Sequence, residues 1–257
     1  MQETRELKTA LLSLADPSLR TQWLRQKLER WPSSVAALAL AELLDESDSA
    51  NAPAKQATYS LVAAIVRDPA AALWSTLREE ARRRDLLSLQ RLLRRDEPLP
   101  SLLDDNVEPP VPDYGAGREL TLGERRSLAR RPNRKWIDRL LHDPHVMVVE
   151  LLLNNPKLTE ADVLRLSASR KAQRAVLAAI VRAERWLSLS RVRLSLILNP
   201  RTASELSVPL LFLCTRPELL EIKNTANLAL CVRATAADLL QRRPPRRKGN
   251  ADSSLLH

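Results

Sequence analysis

Apolar positions recur at helical spacing along most of this chain, and short polar stretches separate the runs. In the N-terminal part, the polar stretches begin with residues that favour helix starts, such as Asp16-Pro17 and Asp68-Pro69. The acidic segment 45–53 contains a proline and predicts a loop. The helices predicted for this part cover residues 3–14, 18–31, 35–44, 54–66, a stretch that starts at Asp68-Pro69, and 86–93.

Three acid- or amide-proline pairs punctuate the C-terminal part: Asp143-Pro144, Asn155-Pro156 and Asn199-Pro200. A residue that precedes proline is disfavoured in the α conformation, so the pattern ends one helix near Asn155. Asp143 is predicted to cap the helix that follows it, with Pro144 in the first helical position, where a missing N–H costs nothing. The sequence therefore predicts short helices joined by tight turns.

The same pattern returns at intervals, which indicates degenerate internal repeats. A shift of 44 residues places 155–157 on 199–201, and a shift of 76 residues places 159–164 on 235–240. Helix starts of the capping-box type are predicted at the threonines that precede an acid by three residues. These threonines are Thr121, Thr159, Thr202 and, by its match to Thr159, Thr235.

The segment around Asp143-Pro144, with Met147-Val148-Val149 and Leu152, resembles the Asp-Pro-x-x-x-Val core of HEAT-like repeats. The resemblance covers Arg118 to Asp238, and Glu150 stands where that pattern usually has an arginine. It implies an α-solenoid whose concave face binds another macromolecule, and it implies no catalytic residue. The variant leucine-rich repeats are a similar second possibility, although their cysteine cluster has no counterpart here.

Composition supports an all-α fold. The 257 residues include only 4 glycines and 3% aromatic residues, which suits helices better than strands. The sequence has no apolar run long enough to span a membrane and starts with charged residues, so we expect a cytoplasmic protein. Cys214 and Cys231 lie in apolar runs and are predicted to be buried free thiols rather than a disulfide.

Charge divides the chain into parts of different character. Residues 1–95 carry a net charge of +3, residues 96–117 carry −6 with five prolines, and residues 118–257 carry +13. We predict an N-terminal helical domain (1–95), an acidic proline-rich linker (96–117), a HEAT-like repeat domain (118–241) and a disordered basic tail (242–257). The linker is interpreted as a spacer or as a segment that docks in extended form.

The basic character of the repeat part provides the candidate binding residues. The arginine-rich stretches either form a solvated outer face or bind phosphates or carboxylates, for which arginine is well suited. Arg170 and Arg174 are predicted to share a helix face. The candidate residues for a polyanion or partner are Arg130, Arg134, Lys135, Arg170, Arg174, Arg182 and Arg185.

No set of residues has the spacing of a catalytic or metal site. His142 and His145 are separated by a proline-containing turn and lack further ligands at a suitable spacing, so they are interpreted as a helix-junction pair. We expect no catalytic residue, no metal and no cofactor. The sequence favours a non-catalytic scaffold that binds a protein partner through the repeat surface. The alternative is a nucleic-acid-binding protein that uses the basic face or the tail, and an enzyme ranks third.

Overall fold

The computed structural model describes residues 2–49, 51–96, 111–115 and 117–243, and within these ranges all regular secondary structure is α-helical. The prediction of an all-α protein is therefore confirmed. The helices of the N-terminal part are α1 (Gln2–Ser13), α2 (Pro17–Arg30), α3 (Ser33–Asp48), α4 (Ala52–Arg67), α5 (Ala72–Arg83) and α6 (Leu87–Leu92). Those of the C-terminal part are α7 (Leu122–Arg130), α8 (Arg134–Leu140), α9 (Val146–Leu153), α10 (Glu160–Ala168), α11 (Arg174–Arg182), α12 (Glu184–Leu187), α13 (Ser190–Leu198), α14 (Ser204–Leu211), α15 (Arg216–Asn224) and α16 (Leu230–Arg242).

Helix α4 lies at the centre of the packing. Its residues from Ser60 to Val66 are all buried, so this helix is covered on every side rather than along one stripe. It contacts α1, α2 and α3 within the N-terminal part and α11 and α14 within the C-terminal part. As a consequence, one hydrophobic cluster runs through both parts, from Leu7 to Leu240.

Helices of the C-terminal part pack mainly on near neighbours in the sequence. Contacts join α7 to α9, α9 to α11, α10 to α13, α13 to α14, and α15 and α14 to α16. Each helix buries an apolar stripe in these contacts, and the two helices of a pair are consecutive in some cases and two or three positions apart in others. The stripes include Val148 and Leu152 in α9, Val163 in α10 and Leu196 in α13.

Ion pairs and hydrogen bonds also join the two parts. Arg94 of the N-terminal part donates to Thr235 and Asp238 of α16, each at 3.0 Å. At the other end of α16, Arg242 and Arg243 donate to Asp48 at 3.0 and 2.7 Å. The tail was predicted to begin at Arg242, but these two arginines lie against α3; the prediction for 244–257 falls outside the described residues.

The acidic segment after Leu44 is helical, contrary to the predicted loop. Helix α3 continues to Asp48 because its acids have partners: Glu46 accepts from Lys8, and Asp48 accepts from α16. The acidic residues after Leu44 therefore belong to a contact surface, and they do not end the helix. The other N-terminal predictions agree with the helices found within a few residues at each end.

Both Asn-Pro turns have the same hydrogen bonds. The Nδ2 group of Asn155 donates to the carbonyls of Ala129 and Arg131 at 2.7 and 2.9 Å, at the end of α7. The Nδ2 group of Asn199 donates in the same way to Ser167 and Ser169 at 2.8 and 3.0 Å, at the end of α10. In each case the side-chain oxygen also accepts from the backbone N–H two residues later, at 3.0 Å. Each asparagine thus ends its own helix and satisfies the end of an earlier one.

Three predicted helix starts differ from the structure. Thr202 donates to the carbonyl of Leu196 and does not cap α14, which begins after Ala203. Thr235 lies inside α16 and not at a helix start. Asp143 does not cap α9, since His145 takes that position and its Nδ1 atom accepts from the N–H of Met147. Each of the three polar side chains binds a tertiary or local partner that the spacing of residues in the sequence does not indicate.

Part of the predicted linker packs on the C-terminal part. Tyr114 is buried and donates its hydroxyl to Asp143 at 2.5 Å. Gly115 follows with a φ of 67°, a conformation that favours glycine, and a Cβ atom there would also require the guanidinium of Arg139 to shift. Of the linker, residues 97–110 and 116 lie outside the described part of the chain.

Candidate functional site

The predicted basic residues do not form one uniform surface. Arg130 ends α7, Lys135 lies in α8 and Arg182 ends α11. All three side chains are exposed and make no side-chain hydrogen bond or ion pair with another described residue. These three cations are available to an external anion.

Arg134, by contrast, belongs to an internal ion-pair network. Its guanidinium donates to both carboxylate oxygens of the buried Asp162 at 2.5 and 2.6 Å, and Arg165 donates to the same carboxylate at 2.8 Å. Asp162 also completes the capping box of α10 with Thr159. The hydrogen bonds from Arg134 lower the pKa of Asp162 well below its usual value, because they favour the ionised form. Arg134 therefore joins α8 to α10.

Arg185 is also partly committed to the fold. Its guanidinium stacks over the ring of Trp186 at 4.3 Å and donates to the carbonyl of Asn155 at 3.4 Å. Trp186 is buried and donates its indole N–H to the carbonyl of Leu153 at 2.9 Å. This tryptophan anchors α12 against the end of α9 and is closed to stacking with a ligand.

Arg170 and Arg174 do not share a helix face, contrary to the prediction. Helix α10 ends at Ala168 and α11 begins at Arg174, so Arg170 lies in the turn between them. Arg170 is exposed and donates to the side-chain oxygen of Asn227 at 2.9 and 3.2 Å when that amide faces it. Arg174 is half-buried at the start of α11.

A groove between α10 and α13 contains Arg170 together with residues that the sequence did not single out. Its volume is about 340 Å³. Arg191 lies at the opposite edge of the groove. It is exposed, and its guanidinium lies 3.9 Å from the carboxylate of Glu160. The apolar lining consists of Leu164, Ala168, Leu194 and Leu198. Leucines at these positions are partly exposed because α10 and α13 bury only their opposite faces, a distinction that helical spacing alone does not make.

A second cluster, of hydrogen-bonded polar side chains, surrounds Asp143. The sequence did not predict this cluster. Asp143 is buried and accepts from Arg125 at 2.8 Å and from Tyr114. Burial raises the pKa of Tyr114, and the hydrogen bond to Asp143 raises it further. These hydrogen bonds fix the end of the linker on α7 and the α8–α9 turn, while the buried Nε atom of Arg125 has no partner among the described residues.

The described residues contain no group of three or more His, Cys, Asp or Glu side chains placed to hold a metal ion. His142 is exposed, whereas His145 caps α9. Cys214 and Cys231 are buried free thiols, as predicted, and burial raises the pKa of each to about 12. Thiols with such a pKa stay protonated and are poor nucleophiles.

No helix within the described ranges combines the length and the apolar character needed to cross a membrane. Comparison of the chain with protein-family models, with curated proteins and with solved structures gives no match.

Proposed function

We propose that this protein is a non-catalytic scaffold that binds a protein partner through its C-terminal helices. Those helices would form a HEAT-like repeat arrangement. The equivalent hydrogen bonds of Asn155 and Asn199, together with packing between near neighbours, support repeated structural units. Contacts of this kind leave long surfaces between successive helices, and scaffolds of stacked helices use such surfaces for binding.

The groove between α10 and α13 is the observation that carries this proposal. Its apolar lining would remain in contact with water in the absence of a partner, and an amphipathic helix fits a groove between two helices. Arg170 and Arg191 flank the lining and favour acidic residues at the edges of that helix. The proposed occupant is therefore an acidic amphipathic helix of another protein.

Selection of displayed helical peptides on the full-length protein tests this proposal. We expect enriched peptides to have apolar residues at i, i+3, i+4 and i+7 and acidic residues beside them. Leu194→Glu should abolish their binding, because it places a carboxylate in the apolar lining. Leu220→Glu is the matched control, since Leu220 is an exposed leucine outside the groove. Failure to enrich acidic amphipathic peptides, or equal loss in both variants, would contradict the proposal.

Nucleic-acid binding is the second candidate, and the exposed, unpaired Arg130, Lys135 and Arg182 favour it. Binding of a short DNA duplex measured by fluorescence anisotropy should then weaken steeply with salt, because each neutralised phosphate releases about 0.9 counterion. Replacement of the three residues by glutamine should reduce the salt dependence. If duplex binding is weak and unchanged in that variant, the scaffold proposal remains as the better account.

A further inference from the structure

A cavity of about 990 Å³ lies between the N-terminal and C-terminal parts. Its walls come from the end of α3, from one side of α4, from α13, from the α14–α15 turn with the start of α15, and from the end of α16. Ligand sites often lie where two parts of a chain meet, and the cavity has the size of known small-molecule sites.

The cavity is strongly basic. Its cationic lining residues are Lys55, Arg193, Arg216, Arg242 and Arg243, whereas Asp48 is its one carboxylate among the described residues. Asp48, with Asp45, is already paired with Arg242 and Arg243. Three cations therefore have no carboxylate within ion-pair distance in the described part of the chain: Lys55, Arg193 and Arg216.

Neutral groups hold two of these three cations in place. Arg193 donates to the carbonyls of Leu187 and Ser188, each at 2.8 Å. Arg216 donates to the carbonyl of Leu240 at 2.7 Å. Carbonyl oxygens orient a guanidinium without cancelling its charge, so both side chains are prepared to bind an anion with little further ordering.

Two glutamates nearby are engaged elsewhere. Glu184 accepts from Ser18 at 3.3 Å, and Glu218 accepts from the N–H of Thr215 at 2.6 Å. Burial raises the pKa of Tyr59, whereas the neighbouring Arg193 lowers it and Glu184 raises it. The phenol of Tyr59 thus stays protonated at neutral pH and makes no hydrogen bond to another described residue.

The rest of the lining combines apolar and aromatic residues, which include Tyr59, Phe212, Leu213 and Pro217, with the polar Ser47, Ser49 and Thr215. An inorganic phosphate would fill only a small part of the volume and would leave this apolar lining without a partner. We propose that the cavity binds an organic phosphate of nucleotide size. The phosphates would bind Lys55, Arg193 and Arg216, and the organic part would contact the apolar lining. This site is separate from the groove between α10 and α13.

Isothermal titration calorimetry of the full-length protein with ATP at low salt tests the inference. We expect saturable binding with one ATP per chain, a rise in Tm with ATP concentration and weaker binding at higher salt. Pyrophosphate should bind more weakly than ATP, because it lacks the organic part. Absence of saturable ATP binding, or equal affinity for pyrophosphate, overturns the assignment.

Lys55→Gln is the decisive variant, since Lys55 is exposed and its side chain makes no hydrogen bond or ion pair with another described residue. It should weaken ATP binding about tenfold, the effect of losing one charge-assisted hydrogen bond. Lys223→Gln removes the same charge from an exposed lysine of α15 outside the cavity and should leave the affinity unchanged. Equal weakening in both variants would indicate attraction to the overall charge of the protein and would contradict a site in the cavity.

Discussion

Two buried aspartates, Asp143 and Asp162, order the helices around them at the scale of single residues. Each accepts hydrogen bonds from an arginine of an earlier helix, Arg125 and Arg134 respectively. Burial of a charge is costly unless hydrogen bonds and an opposite charge compensate for it. The two arginines therefore have structural roles, and a change at either carboxylate removes the buried partner of a cation.

Substitution of Asp162 tests the importance of this pairing. Asp162→Asn should lower the free energy of unfolding by about 1–3 kcal/mol near neutral pH, because the amide loses charge-assisted hydrogen bonds to Arg134 and Arg165. The pKa of Asp162 is lower in the folded than in the unfolded state, so the carboxylate stabilises the fold above the unfolded pKa and loses this effect as the pH falls. Urea unfolding should therefore show a difference between wild type and variant that shrinks below a pH of about 4.

Asp138→Asn is the control for that experiment. Asp138 contacts the same guanidinium of Arg134, but half of its side chain is exposed. Its loss should change the free energy of unfolding by less than about 1 kcal/mol. Equal effects of the two substitutions, or a difference for Asp162→Asn that persists at acid pH, would refute the assigned role of the buried carboxylate.

At the scale of helices, the two Asn-Pro turns influence how neighbouring helices are arranged. The Asn155 and Asn199 side chains each close one helix and bind two carbonyls at the end of an earlier one. An exposed polar residue before proline would also have ended the helix, but it would not have joined it to a second helix. These turns therefore hold the end of one helix against the end of an earlier one.

Asn155→Ala and Asn199→Ala should destabilise the protein by similar amounts, about 1–3 kcal/mol each, because each leaves buried carbonyls without a donor. Thermal and urea unfolding followed by circular dichroism measure the change. Asn154→Ala provides the control, since Asn154 is exposed and donates only to Glu150 in its own helix. A large loss at one of the two buried positions and none at the other would argue against structurally equivalent turns.

For the whole molecule, the two flanks of the acidic linker lie against the C-terminal part, one at the start of α14 and the other beside the α10–α11 turn. Asp96 donates its backbone N–H to Ser204 at 3.4 Å, and Pro112 lines a cavity with Lys171 and Ala172. Arg201 lies between these points and donates to Ala172 at 2.9 Å. Residues 97–110 connect these two flanks, and the sequence places four acids and no base within them.

Neutralisation of those acids tests whether the linker competes with external anions. We expect the full-length variant with Glu97→Gln, Asp104→Asn, Asp105→Asn and Glu108→Gln to bind a poly-Glu peptide severalfold more tightly at low salt. The reason is that a tethered competitor acts at a high effective concentration. A variant that neutralises the exposed Glu79, Glu119, Glu150 and Glu221 makes the same change in net charge. Equal effects of the two variants in calorimetry would leave the linker as a spacer.

Much of the helical content followed from the sequence because it depends on local interactions. Periodic apolar residues and short capping motifs such as Thr121-x-x-Glu124 act within a few residues, and that box forms as predicted. The same rules failed for Thr202, Asp143 and the acidic end of α3. Each of these side chains binds a group that the pattern around it does not indicate.

The candidate surface depended on tertiary structure to a greater degree. The sequence identified the basic residues, but it could not separate Arg134, which pairs with Asp162, from Lys135 beside it, which remains exposed. It also gave no indication that Lys55 and Arg216, so distant along the chain, line one cavity. Helix formation is decided by neighbours in sequence, whereas the partner of a charge and the lining of a groove are decided by which helices pack together. That packing arises from apolar contacts that have no direction of their own, so only the folded chain selects among them.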